Sequence, residues 1–576
     1  MKKLSSFIIL LIAVTSLHAQ KTSIPHLEKT GNTTQLVVEG KPFLVLGGEL
    51  HNSSTSGASY MRPLWEQMKR KNLNTVIAPV YWELLEPEEG KFDFSLVDSM
   101  IDGARKQNLH LVILWFGSWK NGYSMYAPGW VKNDTQRFPR VKNQKGESFV
   151  VLSTFNEAAM KADATAFKTL MQHIRQVDEK YQTVIMTQVE NEVGLFYDPR
   201  DYSEEAVKAY EQGVPADLMQ YLVANKGKLQ PELDSAWKAN GYKIAGSWED
   251  VFGKSALNKE NWKALSYLPE ELFTVYHYSK YIGQVAKAGK EGYPIPMYVN
   301  DWIKQPHSSW PGKYPSGGPT PHTLDIWRHN APAIDFISPD IYVSIPDARY
   351  TIEQYHRPGN PVFIPEFKPG AASANLAFWA FGRQDAIGFS PFGIDDTPPE
   401  NDPIAKSYAA LAQVKTLILQ HQGKGTMVGV YVDTSEKSQS FGLNGYNVEV
   451  NLVIPFLTPE GGDVAGIASS SRKPTSAGGI VFATGQDEFL VVGKDFRLTF
   501  TPLNRDAQKT KVDVEYSDEG AFINGKWVRT RRLNGDEGRG GGDYGFGFSK
   551  GTSGLFMFQP SATGDYSIIK YKMYRY

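Results

Sequence analysis

Eight short apolar runs, separated by stretches of helical period, constrain this chain more than any other feature. They span residues 43–50, 75–82, 110–119, 183–192, 295–301, 335–342, 361–367 and 386–393. Between them apolar residues recur at i, i+3, i+4 and i+7, as in Met61, Leu64, Trp65 and Met68, or Leu96, Val97, Met100, Ile101 and Ala104, the spacing of an amphipathic helix. Apolar strands alternating with helices require a parallel sheet covered on its faces, and eight such units close most naturally into a (β/α)8 TIM barrel. A doubly wound open sheet is the alternative, but it gathers ligand-binding residues at one switch point. Here polar and aromatic residues follow nearly every run: Glu49 and His51, Trp82 and Glu83, Trp115 and Trp119, Asn191 and Glu192, Asp301 and Trp302, Asp340 and Tyr342, and Glu366. That distribution suits a barrel whose C-terminal face carries the chemistry.

At 576 residues the chain exceeds what one core usually supports, so more than one domain is expected. Lys2 and Lys3, the apolar run 7–14 and Leu17-His18-Ala19 read as a signal peptide over residues 1–19, with the mature chain starting near Gln20. Residues 20–425 read as the barrel with an N-terminal β-hairpin. The barrel ends in a helix over 405–421, followed by a linker at 422–426. Beyond it, residues 426–576 show short alternating strands, including 521–527 with an Asn524-Gly525 turn, which predicts an antiparallel β-sandwich. Residues 201–290 read as a helical insertion, and 302–332, rich in Pro, Gly and aromatics, as a long ordered loop on the active face. In that loop Trp302, Trp310, Tyr314 and Trp327 either wall a sugar pocket or pin the loop to the barrel. The glycine-rich stretch 538–547 lacks the strand, helix and Lys-Ser/Thr ending of a phosphate loop and reads as a β-loop.

Net charge is −1 with 21% charged residues, which gives no electrostatic argument for nucleic acid or an anionic membrane surface. No run after residue 20 reaches the length of a membrane helix. With no cysteine, an exported chain relies on packing alone, which suits a bacterial periplasm or secretion from it. Aromatics make up 12% of the chain, a supply of ring faces for a neutral, hydroxylated ligand.

Two of the runs end in carboxylates: T-V-I-M-T-Q-V-E-N-E-V-G at 183–194 and P-V-F-I-P-E-F at 361–367. Burying a carboxylate costs several kcal/mol unless it is paired or protonated, so two strand-end acids point to a paired-carboxylate site. There is no metal-spaced histidine cluster, HExxH or GxSxG motif, so neither metal nor cofactor is expected. Two carboxylates in a neutral aromatic pocket are what glycoside hydrolysis needs. Glu192 reads as the acid/base and Glu366 as the nucleophile. Asn191 reads as a partner of the sugar 2-hydroxyl, and Glu49, Trp82, Glu83, Trp115, Trp119 and Tyr342 as further substrate contacts. Glu190, two residues before Glu192, is sent by strand alternation the same way, one layer deeper, in a supporting role.

These residues resemble a known group. Q-V-E-N-E-V-G at 188–194 is similar to the signature of glycoside hydrolase family 35, the β-galactosidases. G-G-E-L-H-N at 47–52 and N-T-V-I-A-P-V-Y-W-E-L-L-E-P-E-E-G-K-F-D-F at 74–94 resemble two further motifs of that family in the same order. The resemblance covers about residues 40–420. It implies a retaining (β/α)8 β-galactosidase with Glu192 as acid/base and Glu366 as nucleophile, from a bacterial branch with one β-rich C-terminal domain, trimming β-galactosyl side chains of plant polysaccharides from a closed, exo-acting pocket. Two departures are visible. Where the family commonly has Pro-Gly-Pro-Tyr-Ile-Cys-Ala-Glu-Trp, this chain reads L-W-F-G-S-W-K-N-G-Y at 114–123, and Val193 stands where the family more often has Tyr, so the pocket wall differs. Another β-glycosidase of the same clan and a non-catalytic carbohydrate-binding protein are the alternatives. An oligosaccharide or polysaccharide is the expected partner, and a homo-oligomer is left open.

Overall fold

The computed structural model describes residues 23–255, 261–263, 269–452, 474–503, 512–533, 554–557 and 565–576. The expected signal peptide and the glycine-rich stretch 538–547 lie outside the described residues. The eight apolar runs form eight parallel strands: β1 (Val45–Glu49), β2 (Thr75–Tyr81), β3 (His110–Lys120), β4 (Val184–Asn191), β5 (Met297–Trp302), β6 (Phe336–Ile341), β7 (Phe363–Phe367) and β8 (Gly388–Pro391). They close into one barrel in chain order, β8 pairing back on β1 through Gly388↔Val45 and Phe389↔Leu46. Side chains alternate between two apolar layers. Val45, Ile77, Val112, Leu114, Phe116, Tyr298, Phe336 and Phe363 fill the interior. Leu46, Val76, Leu111, Ile113 and Trp115 join the larger core, which includes the buried faces of the surrounding helices, as barrel packing requires.

The expected N-terminal hairpin is a three-stranded antiparallel sheet, His26–Thr30, Thr33–Val38 and Lys41–Phe43. Leu36 and Val38 of its middle strand pack with the interior layer, so this small sheet plugs the barrel. Among the surrounding helices, α1 (Glu157–Asp178) lies between β3 and β4, and α2 (Pro269–Gly292) between β4 and β5. The insertion after β4 also carries the short helices Glu204–Glu211, Ala216–Ala224, Pro231–Ala239 and Trp248–Phe252. In the loop after β5, Tyr314 and Trp327 are buried, and the Tyr314 hydroxyl donates to Glu271 on α2 at 2.7 Å. These two rings therefore pin the loop rather than face a ligand.

Helix α3 (Ala371–Arg383) and helix α4 (Pro403–His421) close the barrel region. The C-terminal part is a pair of antiparallel sheets. One has six strands in the order Met427–Asp433, Ser476–Gly485, Glu488–Lys494, Ser567–Arg575, Val512–Ile523 and Lys526–Arg532; the other has four, Ser438–Leu443, Tyr446–Leu452, Phe496–Pro502 and Gly554–Met557. The hairpin read from Asn524-Gly525 is present: Ile523 pairs with Lys526, and both turn residues have positive φ, 52° and 73°, the geometry of a type I′ turn. One face of the six-stranded sheet shares an apolar core with the other sheet through Val430, Val448, Val491, Phe500 and Tyr571. Its other face, through Tyr431, Ile480, Phe482 and Val492, joins the core that holds α3 and α4.

The Asn-Thr-Val motif has a structural role. The Asn74 side chain accepts from the Leu46 amide at 2.9 Å and donates to the Leu44 carbonyl at 2.8 Å, tying the entry of β1 to that of β2. Removing it leaves one backbone donor and one acceptor unpaired in the wall. We expect Asn74→Ala to destabilise the fold by about 1–3 kcal/mol, read as a lowered thermal midpoint; an unchanged midpoint would show that the staple carries no stability.

Candidate active site

Four carboxyl groups from different strands meet at the C-terminal mouth of the barrel. Glu49 ends β1, Glu192 follows β4, Asp340 lies on β6 and Glu366 on β7. Asp340 and Glu366 are direct neighbours in the β6–β7 ladder. One carboxylate oxygen from each of Glu192, Asp340 and Glu366 lies within 4.8 Å of the others. All four groups are buried, Glu192 with 4% and Glu366 with 5% of its surface exposed. The two glutamates that end separate strands in the sequence are thus brought together.

Neighbours fix each group. Asn300 of β5 donates from Nδ2 to Asp340 Oδ2 at 2.5 Å and accepts the backbone N–H of Glu192 at 2.9 Å. It thereby orients the residue after β4 and the acid on β6 together. The Tyr342 hydroxyl donates to Glu366 Oε1. Tyr342 is 45% exposed, so its ring edges the opening while its oxygen reaches inward. Asn191 is buried with both side-chain polar atoms unpartnered by protein, as is the Tyr298 hydroxyl below the carboxyls. Buried polar atoms normally have partners, so these atoms mark the mouth as a place able to bind a polar ligand.

Burial and mutual repulsion govern the protonation states. Burial, then the nearby Glu366 charge, pushes Glu192 up to about 8, so it carries its proton at neutral pH. Burial and then Glu366 likewise hold Glu49 and Asp340 well above the usual carboxylate range. Burial also raises Glu366, but the Lys120 ammonium and hydrogen bonds from Tyr342 and Glu49 oppose it. Like charges this close cannot all ionise, and of the four groups Glu366 has donors and a cation opposing the rise that burial imposes.

Glu190 is not one layer deeper in the barrel. Glu190 and Glu192 both adopt positive φ, 62° and 45°, which breaks strand alternation and turns the Glu190 carboxyl outward, between the barrel wall and α1. Non-glycine residues held there cost on the order of 1–3 kcal/mol each, and such strain tends to collect at functional sites. The ladder between β3 and β4 jumps from Trp115↔Val189 to Lys120↔Asn191, so three extra residues of β3 bulge around Glu190. Glu190 accepts the amides of Ser118 at 3.2 Å and Trp119 at 2.7 Å. Asp163 of α1 accepts from Trp115 Nε1 at 2.8 Å and Ser118 Oγ at 2.6 Å. A Cβ on Gly117 would lie 2.7 Å from Glu190 Oε1 and 2.8 Å from Asp163 Oδ1, so only glycine lets the bulge approach the pair. Burial, then Asp163, raises Glu190 well above the usual range; the two acids hold one proton between them.

Several expected sugar contacts lie elsewhere. Trp82, Trp115 and Trp119 are fully buried, and their indole N–H groups are bound to Glu86, Asp163 and the Leu152 carbonyl. Trp119 packs between Tyr278 and Tyr281 of α2. They present no ring face to a ligand: Trp115 and Trp119 of β3, and Trp82 in the helical turn after β2, all pack into the core shared with the helices. Glu83 sits on the turn after β2 and pairs with Lys132 at 2.7 Å. Glu49, Asn191 and Tyr342 do belong to the cluster. Asp340, Asn300, Tyr298 and Lys120 belong to it as well and were not singled out as contacts; their signal was a polar residue inside or closing an apolar run.

The Glu190–Asp163 pair ties stability to pH. The folded state holds the Glu190 proton more tightly than the unfolded chain, whose ordinary value is 4.5. Its stabilising contribution is complete below that value and is lost as pH rises toward the folded one. Glu190→Gln removes the titrating proton and keeps one of the two amide acceptors, a fixed cost that does not vary with pH. Its stability relative to wild type should therefore rise by on the order of 1 kcal/mol or more between pH 5 and 9, measured by denaturant unfolding; a pH-independent difference would contradict the shared proton.

Comparison with known proteins agrees with the motifs. Residues 35–264 match the model of glycosyl hydrolases family 35, and residues 404–543 that of a domain of unknown function (DUF5597), a match that begins within α4. A β-galactosidase of Xanthomonas manihotis is 29% identical over 177 residues, 29% of this chain and 27% of that protein. The human β-galactosidase-1-like protein 3 is 30% identical over 189 residues, 32% of this chain and 27% of that one. The matched region thus spans about a quarter of each curated relative. The β-galactosidase structure from Bacillus circulans sp. alkalophilus aligns with 65% of this chain and 57% of its own, at 16% identity and a TM-score of 0.43. The part of the chain that matches glycosyl hydrolases family 35, residues 35–264, holds the first four barrel strands and the Glu192 motif.

Proposed function

We propose that the protein is a retaining, exo-acting β-galactosidase that removes terminal β-galactosyl residues from oligo- or polysaccharides, plant cell-wall side chains among them. The observation that carries this reading is the approach of Glu192 and Glu366 oxygens to within 4.8 Å. Retaining glycosidases hold their two carboxyls about 5–5.5 Å apart, whereas inverting ones leave room for a water at about 6.5–9.5 Å. Glu366, ionised, attacks the anomeric carbon as Glu192 protonates the departing glycosidic oxygen, giving an α-glycosyl ester on Glu366. Glu192, now a base, draws a proton from water, which attacks the same carbon and restores the β configuration. A raised Glu192 suits the first step, and donors on Glu366 suit the role of nucleophile. Asn191, beside Glu192 with its amide free, would hold the 2-hydroxyl.

Exo-action is supported by the burial of Asn191, Glu192 and Glu366 and by the loops after β4 and β5, which pack together through the Leu195↔Ser316 bridge. In this reading residues 20–425 are the catalytic unit and 426–576 the β-sandwich. The Lys-led apolar segment at the N-terminus would direct the chain to the periplasm or beyond. No described helix is long and apolar enough to cross a membrane.

The test is hydrolysis of p-nitrophenyl β-galactoside, β-glucoside and β-fucoside. Glu366→Ala should lose about 10⁴-fold or more in kcat and regain turnover with azide as the α-galactosyl azide. Glu192→Ala should lose about 10²–10⁴-fold on poor leaving groups and yield the β-azide. A wild type that cleaves none of the three, or azide products of the opposite configuration, would overturn the assignment.

A further inference from the structure

The loop that follows Glu192 carries an aromatic ring that the fold leaves in solvent. Tyr197 is 74% exposed, and no large apolar side chain among the described residues is more so. Its φ is 75°, a conformation that a bulky residue occupies only at a cost in free energy. The loop is tied down without the ring: the Tyr197 N–H donates to the Gly312 carbonyl at 2.7 Å, and Leu195 pairs with Ser316 of the loop after β5. What the strained backbone fixes is the direction of the side chain. The ring lies beside Phe149 and Phe196, with centres 6.3 Å away in each case, and its hydroxyl accepts from the Tyr123 hydroxyl at 3.2 Å. Non-glycine residues held in this way collect where a ligand is gripped.

These rings stand at the barrel mouth. Tyr123 follows the tip of β3 and exchanges backbone hydrogen bonds with Lys120, while Asn121 donates its N–H to the Asn191 carbonyl at 3.1 Å. Trp302 closes β5 in register with Asp340, is half-buried and meets Phe196 edge-on at 5.2 Å. Tyr123 stacks against Phe196 at 6.3 Å. The rings therefore form a wall over the ends of β3, β4 and β5, which are neighbours in the barrel. Glu192 follows the middle one of the three, whereas Glu366 comes from β7 on another side of the mouth.

Resting on the glycosidase reading above, we propose that Tyr197, backed by Phe196, is the platform for the sugar on the leaving side of the cleaved bond. The substrate is then an oligosaccharide or polysaccharide whose second sugar lays its C–H face on that ring. Glu192 protonates the oxygen that joins the two sugars, so the departing one lies on the Glu192 side, where the wall stands. A neutral pyranose has a face of C–H groups that suits an uncharged ring. The backbone has already fixed the ring, so little ordering is left to be done on binding. Contact with a sugar that does not react can then serve to orient the bond that does.

The experiment compares the full chain with Tyr197→Ala, Tyr197→Phe and Tyr197→Gly on two substrates. One is β-galactosyl fluoride, which has no sugar to leave; the other is the galactosylated oligosaccharides of an enzymatic plant cell-wall digest, their consumption followed by mass. Tyr197→Ala should slow the oligosaccharides by about 5–10-fold more than the fluoride. Tyr197→Phe, which keeps the ring face, should restore most of that difference. Tyr197→Gly, which relaxes the backbone, should match Tyr197→Ala in catalysis without a lower thermal midpoint. Equal losses on both substrates, or none on the oligosaccharides, overturn the proposal. A midpoint lowered by about 5 °C or more in Tyr197→Gly overturns it too, because the ring would then be holding the loop. Should wild type cleave neither substrate, the glycosidase reading fails by itself, and retention of the same oligosaccharides on the immobilised chain decides the platform. Retention about 5–10-fold weaker in Tyr197→Ala upholds it; unchanged or absent retention removes it.

Discussion

Four carboxyl groups packed into one water-poor barrel mouth dictate how the wall around them is built. Glu49, Glu192, Asp340 and Glu366 reach it from four strands, and no arrangement lets all four ionise at such distances. The surrounding residues divide the charge. Burial and repulsion leave Glu192 protonated, with its value pushed up to about 8, while Tyr342 donates to Glu366. Neighbouring carboxyls so come to differ in their hold on a proton without a difference in their own chemistry, as the proposed pairing of an acid with a nucleophile requires.

The barrel wall is distorted to make this possible. A regular β3–β4 pair would continue its ladder past Trp115 and Val189, but the bulge at residues 116–119 and the left-handed backbone at Glu190 and Glu192 replace it. Glu190 and Asp163 satisfy the amides and the hydroxyl that the bulge frees. Two buried acids sharing a proton thus hold open the wall segment that carries Lys120 on one side and Asn191 with Glu192 on the other. The local strain is retained because the hydrogen bonds on both sides over-determine the geometry.

The barrel was legible in the sequence because its strands are apolar on both faces, so each run stands out as a block between helical periods. Every one of the eight runs contains its strand or overlaps it to within a residue. Glu192 and Glu366 were legible for the same reason, since charge at the end of such a block is conspicuous. What the sequence obscured was orientation. Trp82, Trp115 and Trp119 look like sugar platforms at strand ends, yet all three pack into the core shared with the helices, and the bulge and positive φ values around them leave no period in the sequence. Lys120 was hidden in a run that departs from the family pattern, and Asn300 and Asp340 inside otherwise apolar strands acquire meaning only when closure of the barrel brings β5, β6 and β7 beside β4.

In the proposed mechanism Glu366 carries the negative charge of the cluster and acts as its nucleophile. Incubation with 2-deoxy-2-fluoro-β-galactosyl fluoride, followed by proteolysis and mass spectrometry of the labelled peptide, tests it most directly. A stable fluorogalactosyl ester is expected on Glu366 alone. A label on Glu192, Glu49 or Asp340, or inhibition without any covalent adduct in an enzyme that turns over galactosides, would contradict it.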